Sequence, residues 1–340
     1  MRAVIIDAPG IIRVDNVPDP TPRPDEVLVR VGACGICGTD LHIIDGDSPL
    51  ARYPITPGHE FAGEVVAVGS DVAQRYGKEN ITVGSRIAVE PNLYCGYCDS
   101  CRTGHENLCL NYAALGVTTN GAVAQYVTVP VAKAYALPDN MSFREGALIE
   151  PVSCAVHGMH ILNPRSGDTF LIVGAGTMGL LLLQLAVRGG ASRVAMVDVN
   201  AQRLALAEQL GPTRTYSDIK QALKDEPLGF NCVIDATGVA PVIENAFMAV
   251  KRGGKLLIFG VASNEARISL SPFRIYNDEI TIIGSMAVLF SFQAALDLIS
   301  SGVINTEAML TKALPLQDFL EALDMVRYGK GVKTQILPNA

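Results

Sequence analysis

A chain of 340 residues is long for one ordinary core and fits two domains. Apolar residues make up 49% of it and charged residues 18%, which excludes a disordered chain and describes a packed globular one. The net charge of −7, with no long basic run, leaves a nucleic-acid role without an electrostatic footprint.

In chain order, the first ten residues lack a charged region followed by a long apolar stretch and a cleavage site. No export signal is expected, and the protein is expected in the cytoplasm. Up to about residue 145, short β-rich runs at 26–31, 64–68, 86–89 and 125–129 alternate with Gly and Pro. Helical periodicity is scarce there, which predicts a mostly β, barrel-like domain. Within it, Cys95, Cys98, Cys101 and Cys109 read C-x2-C-x2-C-x7-C. Four thiolates saturate a tetrahedral zinc and leave no position for substrate, so this site is expected to be structural. Iron–sulfur ligation and disulfide pairing are the alternatives. His105, in the same loop, is expected to be an exposed residue outside a shell that four cysteines complete.

From about Gly167 the texture changes. Residues 170–173 form a continuous apolar run, as a strand buried on both faces should. Helix at 179–188, strand at 193–198 and helix at 201–210 follow, with later strands at 232–235, 255–259 and 280–283. This alternation predicts a parallel sheet with right-handed crossovers. After Gly284 the chain reads as helical at 292–300 and 316–328, then as a short strand at 333–337. Residues 170–187 carry no charge, but Gly174, Gly176 and Gly179 split them into strand, turn and helix, against a membrane span.

Those glycines belong to Gly174-Ala175-Gly176-Thr177-Met178-Gly179, a GxGxxG loop between strand and helix. Gly174 permits the tight turn, Gly176 lets backbone approach a pyrophosphate, and Gly179 lets helix pack on strand. Asp198 ends the next strand, 24 residues after Gly174. Its carboxylate suits the ribose hydroxyls of NAD and repels a 2′-phosphate, favouring NAD over NADP. Arg203 lies near enough in sequence to blur that preference. Thr177, Met178, Thr237 and Val261 complete the candidate cofactor-binding set.

Cys37, in Gly35-Ile36-Cys37-Gly38-Thr39-Asp40-Leu41-His42, and His59, in Gly58-His59-Glu60, are candidate catalytic ligands with Glu60 and Glu150. A catalytic zinc takes about three protein ligands and keeps one open position. Neither motif alone establishes a metal site, since a lone Cys is usually core and a lone His usually hydrogen-bonded structure. The segment Gly58-His59-Glu60-x2-Gly63-x5-Gly69-x2-Val72 resembles the zinc signature of the medium-chain alcohol dehydrogenases. The resemblance spans essentially the whole chain and takes in the Cys37 segment, the four-cysteine lobe, the glycine loop and Ile149-Glu150-Pro151 in order.

That resemblance implies a fold: a GroES-like β-barrel catalytic domain over residues 1–149 with a structural zinc lobe at about 90–112. A Rossmann NAD-binding domain over 150–285 follows, and residues 286–340 return to the catalytic domain. It implies two zinc ions per subunit, one catalytic at Cys37, His59 and Glu150 and one structural. Glu150, where simple alcohol dehydrogenases often place a cysteine, looks like the sorbitol and polyol dehydrogenase branch, with glutamate on zinc directly or through water. Glu60 is similar to a nearby family glutamate that approaches the metal or tunes it from behind. Cys154 is not in the ligand slot; it and Cys232 are expected to be buried inert thiols, and His157 and His160 packing residues.

By the same resemblance, zinc lowers the pKa of the substrate hydroxyl and hydride passes to the nicotinamide. Thr39 takes the alcohol proton and His42 passes it to solvent. The expected substrate is a polyol or other small vicinal diol, with amino-alcohols such as threonine and simple secondary alcohols open. A zinc-free reductase and a non-enzymatic NAD-binding protein are the rivals, and the intact ligand set speaks against both. A homodimer or homotetramer is implied through the sheet edge at 280–283.

Overall fold

The computed structural model describes residues 1–72, 81–211 and 213–340. These divide into two compact units: Met1–Ser153 with Val288–Ser300 and Met309–Ala340, and Cys154–Ala287 with Ser301–Ala308.

The first unit opens with β1 (Arg2–Ala8), β2 (Ile11–Asn16), β3 (Glu26–Gly35), β4 (Glu60–Val68) and β5 (Arg86–Val89). Next come β6 (Asn92–Leu93), β7 (Ala113–Ala114), β8 (Tyr126–Pro130) and β9 (Ala134–Ala136). Along β3, Val27, Val29 and Val31 point inward while Arg30 pairs with Glu64 on β4 at 2.7 Å. This period of two is what a half-buried antiparallel strand requires. Val65, Ile87, Val127 and Val129 close the same core.

The second unit holds β10 (Thr169–Val173), β11 (Arg193–Val197), β12 (Thr213–Tyr216), β13 (Phe230–Asp235), β14 (Val250–Ile258) and β15 (Thr281–Gly284). Their order is β12-β11-β10-β13-β14-β15, every neighbouring pair parallel. All five residues of β10 are buried, the signature of a strand covered on both faces. Strand order reverses beside β10, where doubly wound sheets bind their ligands. The expected Rossmann architecture is therefore present.

The chain ends with β16 (Leu310–Pro315) and β17 (Lys333–Leu337), which extend the first unit's sheet to the order β16-β17-β3-β4-β5-β9, with β8 pairing β3. Strand β16 was not expected; it lies between the two helices read at 292–300 and 316–328 and is made a strand by parallel pairing with β17. Residues 316–328 also differ from a single helix: a 3-10 turn, Leu316–Asp318, precedes the α-helix Phe319–Arg327. Ser301–Ala308 groups with the second unit, where Asn305 N–H donates to buried Gln184 Oε1 at 2.7 Å. Among the described residues no helix is long and apolar enough to cross a membrane. The uncharged run 170–187 is β10, the glycine loop and the start of the helix Thr177–Arg188.

Candidate functional site

Cys37 is the N-cap of the helix Gly38–Asp45, so the helix start sets where its sulfur stands. Asp40 fixes this start: its buried carboxylate accepts from Cys37 N–H at 2.8 Å. His59 and Glu60 lie at the start of β4, directly after Gly58. Gly58 has φ of 96°, and a Cβ there would stand 2.6 Å from Cys34 Sγ, so the turn that delivers His59 needs glycine.

The ligand atoms of Cys37, His59 and Glu60 all lie within 4.8 Å of one another. His59 and Glu60 are buried, and His59 Nδ1 has no hydrogen-bond partner. A sulfur, a nitrogen and a carboxylate oxygen at this spacing are a donor set that zinc accepts, so the residues fit the metal. Glu150, buried in the first turn of the helix Ile149–Leu162, is outside this group. It still acts on it electrically. Burial alone would depress the His59 pKa, but Cys37, Glu150 and Asp40 outweigh burial and hold it well above the usual histidine value.

Two residues that sequence reasoning missed complete the setting. Asp40 is fully buried, and burial raises its pKa against the opposing pull of His59. The sequence offers only its position, three residues after Cys37, which the structure shows to be the N-cap. Lys333, on β17, is buried and ion-paired with Glu60. No local signal marks it.

Thr39 and His42 are half-buried on the helix Gly38–Asp45, and Thr39 Oγ1 lies 3.7 Å from Cys37 Sγ. His157 and Cys232 are buried as expected. His160 is exposed, which corrects the packing role expected of it, and Cys154 is half-buried where a buried inert thiol was expected. His105 is exposed, as expected.

In the lobe, Sγ–Sγ separations run from 3.5 Å (Cys98–Cys101) and 3.6 Å (Cys95–Cys109) to 3.9 Å (Cys98–Cys109) and 4.0 Å (Cys95–Cys101). A tetrahedron with arms of about 2.3 Å has edges of about 3.8 Å, so the four sulfurs fit one ion. Four sulfurs on the separate irons of a cluster would stand farther apart. All eight cysteines are free, which removes disulfide pairing. Backbone donors led by Tyr97 pull the Cys95 thiol down to about 6, while burial pushes Cys101 up to about 12.

In the second unit, Gly174 has φ of 104°, and a Cβ on Gly179 would meet Gly174 O at 1.7 Å. Gly176 is different: a Cβ there would meet only Arg203 Nη1, at 4.0 Å. Gly176 is also the N-cap of the helix Thr177–Arg188 and offers no side-chain cap, and a helix N-terminus favours an anion. The Asp198 carboxylate accepts from Ala175 N–H at 2.6 Å and Asn200 N–H at 2.7 Å, which orients it at this loop. Thr237 is locked to buried Asp235 at 2.6 Å, and Val261, 72% exposed, follows β14. A Cβ on Gly238 would meet Val261 O at 2.2 Å, so these two loops touch at the carboxyl ends of β13 and β14.

A family profile described as alcohol dehydrogenase GroES-like domain matches residues 23–139, and one described as zinc-binding dehydrogenase matches 177–301. D-arabinitol dehydrogenase 1 of Uromyces fabae is 35% identical, with 100% of this chain and 97% of the relative covered. D-altritol 5-dehydrogenase of Agrobacterium fabrum is 36% identical over 94% of this chain and 91% of the relative. A structure from Sinorhizobium meliloti, described as a zinc-binding dehydrogenase bound to NADP, is similar with a TM-score of 0.92 at 36% identity, 99% of each chain covered.

Proposed function

The chain belongs to the zinc-dependent medium-chain alcohol dehydrogenases, in their polyol dehydrogenase-like branch, and on that premise we propose that it interconverts a secondary hydroxyl of a polyol or sugar-derived alcohol with its ketone, using NAD. The carrying observation is the buried group of three unlike donors, Cys37, His59 and Glu60, with Glu150 acting on it from close by. The relatives named for arabinitol and altritol support the substrate class.

Cys37, His59 and Glu60 would hold the catalytic zinc, and Glu150 reaches it directly or through water. When bound, zinc supplies a Lewis acid that lowers the pKa of a hydroxyl. The nicotinamide supplies the hydride acceptor. The chain's own residues do the rest. Cys37 stands at the helix N-terminus, and Asp40 fixes that terminus. Thr39 takes the proton leaving the alcohol, and His42, three residues on, passes it to solvent. The Gly174–Gly179 loop seats the pyrophosphate, with Arg203 beside it, and Asp198 takes the ribose hydroxyls. Cys95, Cys98, Cys101 and Cys109 hold a second, structural zinc.

Asp198 supports NAD over NADP, while the NADP-bound relative points the other way. Free cysteines throughout support a reducing compartment such as the cytoplasm. The sheet-edge strand β15, with Ile282 exposed, supports a homodimer or homotetramer. A panel of polyols, amino-alcohols and simple alcohols, read by NADH formation and repeated with NADP and with a chelator, tests this reading. Turnover confined to polyols and lost with chelator is expected. Turnover indifferent to metal removal contradicts it.

A further inference from the structure

One charged group beside the ligand cluster is not used in that chemistry: the ammonium of Lys333. It donates to Ile36 O at 3.0 Å and is ion-paired with Glu60 Oε2. Strand register explains how a residue near the end of the chain arrives there. Strand β17 pairs β3 with Gln335 opposite Gly35, and β3 pairs β4 with Gly35 opposite Glu60. Gly35 lies between the two charges. A Cβ on it would stand 2.1 Å from Glu60 Oε2 and 2.9 Å from Lys333 Cε, so the pair meets over a strand that has no side chain to obstruct it. One ammonium thus ties the residue before Cys37 to the residue after His59.

The pair is also deeply buried, Lys333 at 3% and Glu60 at 1% exposure. A buried cation without a partner is strongly disfavoured, so Lys333 depends on Glu60. Glu60 is the same carboxylate that stands in the ligand group with Cys37 and His59. With a metal held there it would face two cations, and what it gave to one it would withhold from the other.

Resting on the zinc-site reading above, we propose that Lys333 is a positioning residue that competes with the metal for Glu60, making this carboxylate an exchangeable ligand and keeping a coordination position open for substrate. Without the ammonium, Glu60 has only the metal to neutralise it and becomes a permanent ligand.

The test compares the holoenzyme with Lys333→Met, Lys333→Arg and Glu60→Gln. It reads the rate of zinc release to a chelator, the visible spectrum of enzyme carrying cobalt(II) at the catalytic site, and kcat separately from KM. Lys333→Met is expected to release the catalytic zinc about tenfold more slowly, to change the cobalt bands, and to lose about tenfold in kcat with KM little altered. Lys333→Arg, which keeps the charge, should recover all three. In a Glu60→Gln background, replacing Lys333 should change neither zinc release nor spectrum. Unchanged zinc release and cobalt bands in Lys333→Met, whatever its thermal stability, overturn the proposal. So does a full effect that persists in the Glu60→Gln background. Should Lys333→Met fail to fold, Glu60→Gln alone decides: faster zinc release with altered cobalt bands is expected, and unchanged values overturn the proposal. A native enzyme that holds no catalytic zinc and forms no NADH from any polyol would instead overturn the underlying reading of the site.

Discussion

The first unit carries two clusters of side chains that could each hold a metal ion, built on opposite plans. The lobe sets four identical donors, Cys95, Cys98, Cys101 and Cys109, at nearly even spacing on loops and the short helix Asp99–Arg102, with Tyr97 and Leu110 exposed beside them. The other cluster sets three unlike donors on the core sheet and a helix terminus, with a buried ammonium and further carboxylates around them. Four thiolates saturate an ion and leave nothing to react. In the second cluster one donor has another obligation, Glu60 being paired with Lys333, while Asp40 beside it holds the start of the Cys37 helix. A site stays open when its ligands are partly committed elsewhere.

That contrast can be broken most sharply by removing one sulfur from each cluster. Cys37→Ser should lower kcat by at least about 10³-fold, or about 4 kcal/mol of transition-state stabilisation, with circular dichroism and NAD binding unchanged. Cys101→Ser in the lobe should do the reverse. It should cost about 3 kcal/mol, shifting Tm down by roughly 6–12 °C in thermal unfolding, while folded protein keeps most of its kcat. Equal loss of activity from both changes would erase the distinction.

A smaller effect is expected in the second unit. Asp198→Ala removes charged acceptors for the ribose and should lower kcat/KM for NAD by about 10- to 100-fold in steady-state assays, with NADP affected far less. The smallest effect concerns the brace under the open site. Asp45, at the end of the Cys37 helix, is paired with Arg327 at 2.6 Å, and Arg327 holds its carboxyl below the usual value. A lowered carboxyl pKa stabilises the fold above the unfolded value and loses that contribution as pH falls through the folded one. Asp45→Asn should therefore cost about 0.5 kcal/mol at neutral pH in denaturant titrations, a loss that disappears in strong acid. Both partners are more than a third exposed, which keeps the effect small.

What the sequence made legible follows the range of the interactions. Strand β10 and its glycine loop could be read because burial on both faces and positive φ leave local marks, an unbroken apolar run and glycines at set positions. The four cysteines could be read because one loop supplies every donor. Strand β16 could not, since only its pairing with β17 makes it a strand. For the open site, the family resemblance named Cys37, His59, Glu60 and Glu150 without showing which of their ligand atoms gather. Glu150 was expected as the third ligand; the ligand atoms that gather with Cys37 and His59 are those of Glu60, because β3 and β4 pair with Gly35 opposite Glu60. Lys333 was invisible for the same reason, arriving through two strand registers from near the end of the chain.

The most direct measurement follows zinc content and polyol-dependent NADH formation together while a chelator strips the holoenzyme. The account predicts two zinc ions per chain at the start and complete loss of activity as the first one leaves, with the fold and the second zinc intact. Activity that survives loss of the first zinc, or that falls only when the second zinc and the fold go together, would contradict it.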